Sequence, residues 1–495
     1  MNTKEIILLG AALGGSLISA CNADAAQRRS KKQNCSKPNI ILVTADDLGW
    51  MSLGCYGSKL DVTPNLDKFA SEGIQFNNGY VNAAISSPSR KIMMTGLFGH
   101  NSGAMGFEPI DRNRNVPILA DILAENGYRT GILGKVPHSS PYEGYEWDYA
   151  HDYAELGRGR NPELYAGYTR EFIEKCQKEG KPFYFMINSH DPHRPYHDPE
   201  DPKALAGNAK APSKIFSPDE IEVPGFLLDN KLTRLELSHY YNSTRRLDDT
   251  FGAVMEVFED TGIMDNTMIV FLSDNGIAMP FAKANAYYAS NRVPFMVRWP
   301  GNYKNGVINE SDFVMEVDLL PTFLDIAGID IPSGIDGRSF KAVLEGKKGQ
   351  HSTYTFNQID RKIGGPACPM RSIITEDFAY IYNAWPDGKR FYRNNNEGLT
   401  MKSMEEAAET DKFAAERVNV YRYRTKEEFY NMKTDKASVH NLINEKSLQD
   451  KIQKYRDLLE KEMIAHSDTL LPVWNARKNF AEKERLLKKA YPTIK

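Results

Sequence analysis

Along the chain, short apolar runs rich in β-branched residues each stop abruptly in a polar cluster. Pro38 to Thr44 (PNIILVT) gives way to Ala45-Asp46-Asp47-Leu48-Gly49, and Phe183 to Asn188 (FYFMIN) to Ser189-His190-Asp191-Pro192-His193-Arg194. Met268 to Ser273 (MIVFLS) ends in Asp274-Asn275-Gly276, and the shorter run Thr130 to Lys135 in Val136-Pro137-His138. Phe295 to Trp299 is one more such run. Apolar runs without alternation predict strands buried on both faces, as in parallel sheets.

Helix signals lie between them. Thr63-Pro64-Asn65 supplies an N-cap and a Pro at the first helical position, opening a helix through Phe69 to Gly73. A second helix is predicted from Pro117 to Glu125, stopped by Asn126-Gly127. Leu235 to Phe258 reads as a long helix with Leu247, Val254 and Phe258 facing a core, and Asp318 to Ala327 as another. Residues 196 to 225, rich in Pro and Asp, read as a long surface loop. Strands alternating with helices predict an α/β fold with a mostly parallel sheet covered on both faces. In such sheets a site forms outside the carboxyl ends of the strands, so the four polar clusters are expected to converge.

The pattern changes after about residue 350. Met370 to Ile374 and Phe378 to Tyr382 read as an antiparallel hairpin, followed by a polar segment at 390–415, the stretch Lys426 to Met432 and a helix from Ser447 to Met463. Ala476 to Lys495 reads as a charged amphipathic helix. The expected organisation is a catalytic domain over 36–350 and a smaller α+β domain over 351–495. A length of 495 residues, with 41% hydrophobic and 26% charged, suits one large folded domain and a smaller one.

Charge and the N-terminus narrow the setting. A formal net charge of −3 provides no global basic field for nucleic acid, so an anionic substrate has to be held by a local cluster of cations or a metal. The apolar run Ile6 to Ile18 is too short to span a bilayer and has the length of a secretory core. It ends in Ile18-Ser19-Ala20-Cys21, which resembles a bacterial lipobox. The expectation is a lipoprotein-type signal peptide over 1–20, lipidation of Cys21, and a tether over 21–35 containing Arg28-Arg29-Ser30-Lys31-Lys32. Cleavage near Ala25-Ala26 is the alternative. Either way the protein is expected to be exported, to the periplasm, and lipidation of Cys21 would give it its one expected membrane contact, an N-terminal lipid anchor. The remaining cysteines, Cys35, Cys55, Cys176 and Cys368, show no close metal-binding spacing.

Three stretches carry chemistry. Asp46, Asp47, Asp274 and Asn275 offer oxygen ligands at two strand ends, the donor type a hard divalent cation such as Ca²⁺ takes. Ser86-Ser87-Pro88-Ser89-Arg90 is a small-residue turn running into Lys91-Ile92-Met93-Met94-Thr95-Gly96. A hydroxyl at a helix start faces backbone N–H groups and suits an anion or an oxygen nucleophile. Each stretch alone also reads as an ordinary turn or cap.

Taken together, these residues resemble the type I, formylglycine-dependent sulfatases: Ser86-x-Pro88-Ser89-Arg90 followed by Thr95-Gly96, with the aspartate pairs in family order. Among sulfatases the chain looks most like the sulfamidases (N-sulfoglucosamine sulfohydrolases). The features behind this are Thr95-Gly96-Leu97, His100-Asn101-x-Gly103, His190-Asp191-Pro192-His193-Arg194, Ser273-Asp274-Asn275-Gly276-Ile277 and Cys368-Pro369-Met370-Arg371-Ser372. The resemblance implies an alkaline-phosphatase-like sandwich, and formylglycine (3-oxoalanine) made from Ser86 by a maturase able to oxidise serine. It implies one Ca²⁺ held by Asp46, Asp47, Ser86, Asp274 and Asn275. It assigns Arg90 to the nucleophile, Lys135 and Lys283 to sulfate oxygens, His193 to the leaving group and His138 to the release step, with His190 a supporting or core residue. Two departures stand out: Lys283 lies where sulfamidases carry Arg, and Lys135 and His138 have the wider spacing of iduronate-2-sulfatases. Asp191, Arg194 and His100 are candidate sugar contacts.

The expected reaction is removal of sulfate from a glycosaminoglycan saccharide, with the N-sulfate of heparan glucosamine leading. A 6-O- or 2-O-sulfatase is the alternative, and a non-catalytic glycan-binding lipoprotein a third reading should Ser86 stay unoxidised. A two-zinc phosphatase is disfavoured, because it needs more His and Asp near the strand ends.

Overall fold

In the first strand Ile40 and Leu42 face one apolar layer while Ile41, Val43 and Ala45 face another. The same split holds for Tyr184 and Met186 against Phe185 and Ile187, and for Met268 and Val270 against Ile269 and Phe271. Two-residue periodicity with both faces apolar is what a sheet covered on both sides requires. The computed structural model describes residues 37–494 except 302–304, 348, 350, 362–365 and 395–396. The expected signal peptide, Cys21 and tether lie outside the described residues.

The main sheet comprises β1 (Asn39–Asp46), β2 (Ile74–Phe76), β4 (Arg129–Leu133), β5 (Tyr149–His151), β6 (Phe183–Pro192), β7 (Thr267–Ser273), β8 (Phe295–Arg298) and β9 (Val307–Asn309). Its order is β5-β4-β6-β1-β7-β8-β2-β9. Neighbours from β5 to β7 pair in parallel, as do β2 and β9, and β8 runs antiparallel to both its neighbours. Strands β3 (Gly79–Tyr80) and β10 (Val314–Met315) form a small parallel pair. A separate antiparallel sheet of β11 (Tyr354–Ile359), β12 (Met370–Thr375), β13 (Phe378–Asn383) and β14 (Glu427–Asn431) carries the predicted hairpin. This is the alkaline-phosphatase-like α/β sandwich with a smaller C-terminal α+β part.

Four helices matter below: α1 (Pro64–Ser71), α2 (Ser86–Thr95), α3 (Pro162–Glu179) and α4 (Lys231–Asp260). Helices α1, α3 and α4 supply Phe69, Phe172 and Phe251 to one apolar layer, and α2 supplies Met93 and Met94 to the other. Three differences from the sequence reading have physical causes. Helix α3 was not predicted, although Asn161 caps it by accepting from the backbone N–H of Glu163 and Leu164 and Pro162 opens it. The segment predicted as merely polar at 390–415 holds helix Leu399–Ala407 and the start of helix Lys412–Tyr423, which together bury Met401, Met404, Val418 and Tyr421 beneath a charged exterior. Strand β6 continues past Asn188 through Ser189-His190-Asp191 to Pro192, which carries the polar cluster inward with the sheet. Residues 196–225 form the expected loop, apart from two short 3-10 turns.

Candidate active site

Strands β1 and β7 pair with Ala45 opposite Ser273, so Asp46-Asp47 and Asp274-Asn275 leave the sheet side by side. All four are fully buried. Asp47 is in the left-handed region, φ 70°, and its backbone N–H donates to Asp274 Oδ1 at 3.1 Å. A non-glycine residue held in that conformation stores strain that its surroundings must maintain.

Helix α2 enters this corner from its N-terminus. Ile85 is extended, Ser86 begins the first turn, and Ser86 Oγ donates to Asp46 Oδ1 at 3.2 Å. Arg90, one turn on and on the same face, is fully buried. Its Nε and Nη2 donate to Asp274 Oδ2 at 3.1 and 2.9 Å, and its Nη1 to Thr44 Oγ1 and Asn188 Oδ1, both at 2.7 Å. The entry to the helix is fixed by buried Glu316, which accepts from the Ser89 hydroxyl and from the backbone N–H of Asn82 and Ala83. Thr44, Asn188 and Glu316 were not anticipated from the sequence.

Two lysines close the corner. Lys135 follows β4 in the left-handed region, φ 51°, and pairs with Asp46 Oδ2. Lys283 sits among Phe281 and Ala284, both left-handed, and pairs with Asp47 Oδ1. His193 Nε2 lies 3.8 Å from Asp47 Oδ2, and its Nδ1 is 2.6 Å from the carbonyl oxygen of Arg194. A carbonyl only accepts, so Nδ1 carries a proton and Nε2 is the atom turned to the site. His138 lies in the short helix Val136–Ser139, which packs on α2, with its ring edge-on to Phe107. The structure thus gathers Asp46, Asp47, Ser86, Arg90, Lys135, His138, His193, Asp274, Asn275 and Lys283 around one corner.

Crowded charge shifts these groups. Burial works to raise the Asp46 carboxyl, but Lys135, then His193, Arg90 and Lys283, hold it well below its ordinary value. Burial and the neighbouring Asp46 raise Asp274 to about 7 despite Arg90. Burial, reinforced by Lys135 and Arg90, depresses His138 to about 4. Burial also lowers His193, against the pull of Asp47 and Asp46. For Lys283 burial is outweighed by Asp47 and Asp46, which raise it.

The donor set fits a divalent cation. Asp47 Oδ2 and Asn275 Oδ1 are buried with no hydrogen-bond partner. Ligand atoms of Asp46, Asp47 and His193 lie within 4.8 Å of one another. Oxygen donors predominate, the preference of a hard ion. His193 is a nearby nitrogen donor that the sequence reading assigns to the sulfate and its leaving group rather than to the metal.

The proposed sugar contacts divide. Asp191 is fully buried and paired with Arg160 at 3.2 Å and Arg246 at 2.7 Å, and His100 is buried between Gln358 and the carbonyl of His466. Both are tied into the scaffold. Arg194 pairs with Glu236 at 2.7 Å and donates to the Ala278 carbonyl, yet stays partly exposed. His190 is buried beside the Tyr153 ring, a core position.

Residues 38–329 match the family model described as Sulfatase. The chain belongs to the sulfatase family. A second model, described as N-sulphoglucosamine sulphohydrolase, C-terminal, matches residues 278–416 of this sulfatase. Human N-sulphoglucosamine sulphohydrolase is 28% identical over 459 residues, covering 86% of this chain and 89% of the relative. An N-acetylglucosamine-6-O-sulfatase of Bacteroides thetaiotaomicron is 25% identical, covering 88% of each chain. Among solved structures, a protein in complex with its substrate D-glucosamine-2-N,6-O-disulfate superposes with a TM-score of 0.66 at 21% identity, covering 88% of this chain and 99% of that one. The phosphonate monoester hydrolase of Agrobacterium radiobacter superposes with a TM-score of 0.64 at 18% identity, covering 87% and 96%. These structural likenesses establish the fold, and the fold alone serves more than one chemistry. The protein is a sulfatase-type hydrolase with an Asp/Asp/His cluster suited to a divalent metal.

Proposed function

We propose that this sulfatase removes sulfate from glycosaminoglycan saccharides, with the N-sulfate of glucosamine in heparan as its substrate, using Ca²⁺ and formylglycine formed from Ser86. The observation that carries the reading is the Ser86 hydroxyl aimed at Asp46, beside Arg90, inside a corner that also gathers Lys135, Lys283 and two histidines. The substrate class rests on the C-terminal model match and the human relative. A second reading, 6-O-desulfation, is favoured by the N-acetylglucosamine-6-O-sulfatase relative. The leader in the sequence supports an exported, periplasmic, lipid-anchored enzyme.

Asp46, Asp47, Asp274 and Asn275 would hold the cation, which supplies charge stabilisation for sulfate oxygens and acidifies an attacking hydroxyl. Residue 86, as the hydrated aldehyde, supplies that hydroxyl and a route for sulfate release that plain serine lacks. The chain does the rest. Arg90, one turn along α2 from residue 86, is locked by Asp274, Thr44 and Asn188, so it presents a fixed positive charge to the corner where residue 86 reacts. Lys135 and Lys283 place two ammonium groups where a bound sulfate gathers negative charge. His193 turns Nε2 to the site and donates a proton to the departing nitrogen or oxygen when it is the imidazolium, which Asp47 and Asp46 favour and burial opposes. His138, depressed to about 4, is a neutral imidazole at neutral pH and accepts the proton lost as sulfate leaves.

The deciding experiment coexpresses the protein with a serine-oxidising maturase and measures sulfate release from heparan saccharides bearing a single N-, 2-O-, 3-O- or 6-O-sulfate, with Ser86→Ala as control. Release from the N-sulfated sugar alone is expected. Release from an O-sulfated sugar alone would overturn the substrate and keep the chemistry. No release from any of them, with formylglycine at residue 86 verified by peptide mass, would remove heparan.

A further inference from the structure

Lys283 stands in a backbone that ordinary residues avoid, since Phe281 and Ala284 have φ of 67° and 55°. What holds it there comes partly from the C-terminal part of the chain. Tyr392 Oη donates to the Ala284 carbonyl at 2.5 Å. Asn285 Nδ2 donates to the carbonyl of Lys283 itself at 2.7 Å. The other end of that amide, Asn285 Oδ1, accepts from Arg424 Nη2. Arg424 is buried, and its guanidinium lies 4.8 Å from the ring centroids of Tyr287 and Tyr392, 5.3 Å from Tyr421 and 5.8 Å from Phe281.

We propose that Arg424 is a positioning residue for Lys283, acting through the Asn285 side chain. An amide has one accepting and one donating end, and a guanidinium only donates. Arg424 against Oδ1 therefore fixes the rotamer in which Nδ2 faces the Lys283 carbonyl. The aromatic rings hold the planar guanidinium in place, and an ammonium lacks the flat fork that stacks on them and fixes its direction. With the amide fixed, the carbonyl of Lys283 is pinned, Tyr392 pins the next one, and the Nζ of Lys283 stays on the Asp47 side of the site. Arg424 lies outside both matched stretches, 38–329 and 278–416, so its role follows from the contacts alone. The inference rests on the reading of Lys283 as a sulfate-binding cation.

The test compares Arg424→Met, Arg424→Lys and Asn285→Asp, each with and without Lys283→Ala. Asn285→Asp keeps an acceptor for Arg424 but removes the donor to the Lys283 carbonyl, so it tests the link even where Arg424→Met fails to fold. Two readouts are used: kcat and KM for sulfate release from the preferred monosulfated heparan saccharide, and the affinity of Ser86→Ala protein for inorganic sulfate by calorimetry. All three substitutions are expected to lower kcat by roughly tenfold to a hundredfold, as small displacements of a catalytic group do, and to weaken sulfate binding. None should cost anything further once Lys283 is alanine. Equal losses with and without Lys283, or Asn285→Asp at wild-type kcat and sulfate affinity, would overturn the inference and leave the function standing. Lys283→Ala at wild-type kcat would overturn the role of Lys283, and the inference with it.

Discussion

The Arg371 cluster of the C-terminal sheet and the Asp46–Asp47–Asp274 cluster at the ends of β1 and β7 are equally buried, yet they treat their polar atoms in opposite ways. Arg371 donates from Nε to Asp468 Oδ2 at 2.6 Å, from Nη2 to Asp468 Oδ1 and Asp360 Oδ1 at 2.8 and 2.9 Å, and from Nη1 to the Met370 carbonyl at 2.9 Å. Tyr491 adds a hydroxyl to Asp360. Burial opposes the charges of Arg371 and Asp468, but each stabilises the other's ionised form. At the strand ends three carboxylates and three cations also meet, yet Asp47 Oδ2 and Asn275 Oδ1 stay without a hydrogen bond and Asp274 is pushed up to about 7. A satisfied network fixes a structure. An unsatisfied one, held by left-handed Asp47 and Lys135, keeps atoms ready for a ligand at a cost the scaffold must offset.

The largest effect should come from breaking the satisfied cluster. Arg371→Met leaves two carboxylates buried without their cation, and removing one partner of a buried pair costs about 3–5 kcal/mol. Thermal and urea unfolding should show that loss, while the protein that remains folded keeps its sulfate-releasing activity. An unchanged melting temperature would show that Asp360 and Asp468 are solvated and the contrast false. Next in size is ligand addition at the other cluster. Metal-stripped protein should gain about 2.7 kcal/mol at a Ca²⁺ concentration a hundred times the Kd, and Asp47→Asn should abolish that gain. Stabilisation by Ca²⁺ that survives in Asp47→Asn would place the cation elsewhere.

How much of this was legible depended on whether the partner lay along the chain or across it. Asp46-Asp47 and Asp274-Asn275 were readable because each directly follows an unbroken apolar strand. The four-cluster convergence followed from parallel-sheet logic, and β1, β6 and β7 are adjacent as it requires. The hold on Arg90 was not readable: Thr44 and Asn188 act together only because β1 and β6 pair with those residues opposite each other. Asp191 looked available in sequence because its neutralising Arg246 comes from the middle of α4 and its Arg160 from before α3. The edge strands β5 and β9, three residues each, are too short to show periodicity. Arg424 follows the segment that reads only as polar, its cage joins Tyr392 and Tyr421 to the distant Phe281 and Tyr287, and its contact with Asn285 spans 139 positions.

The smallest expected effect separates two histidines that burial and partners drive in opposite directions. Burial works to lower His466, but hydrogen bonding to Asp336 and Glu462 prevails and raises it from 6.5 to about 9. It therefore contributes stability that is fully present below 6.5 and is lost as pH rises through about 9. Substituting His466→Gln should cost about 1 kcal/mol near pH 6, since the pair is partly exposed, and progressively less toward pH 10. His138 has no acidic partner facing it closely enough to offset burial and Lys135, so its limb lies on the acid side, near 4 rather than 6.5. Sulfate release should thus keep its His138-dependent step until pH falls toward 4, and His138→Ala should remove that limb without flattening the alkaline loss of stability. Melting temperature against pH for both variants, alongside kcat against pH for the wild type, reads the two shifts separately. If His138 titrated near 6.5 while His466 stayed near 9, the corner would be wetter than its buried carboxylates require. The contrast between a ready site and a satisfied scaffold would then rest on the oxygens of Asp47 and Asn275 without a hydrogen bond alone.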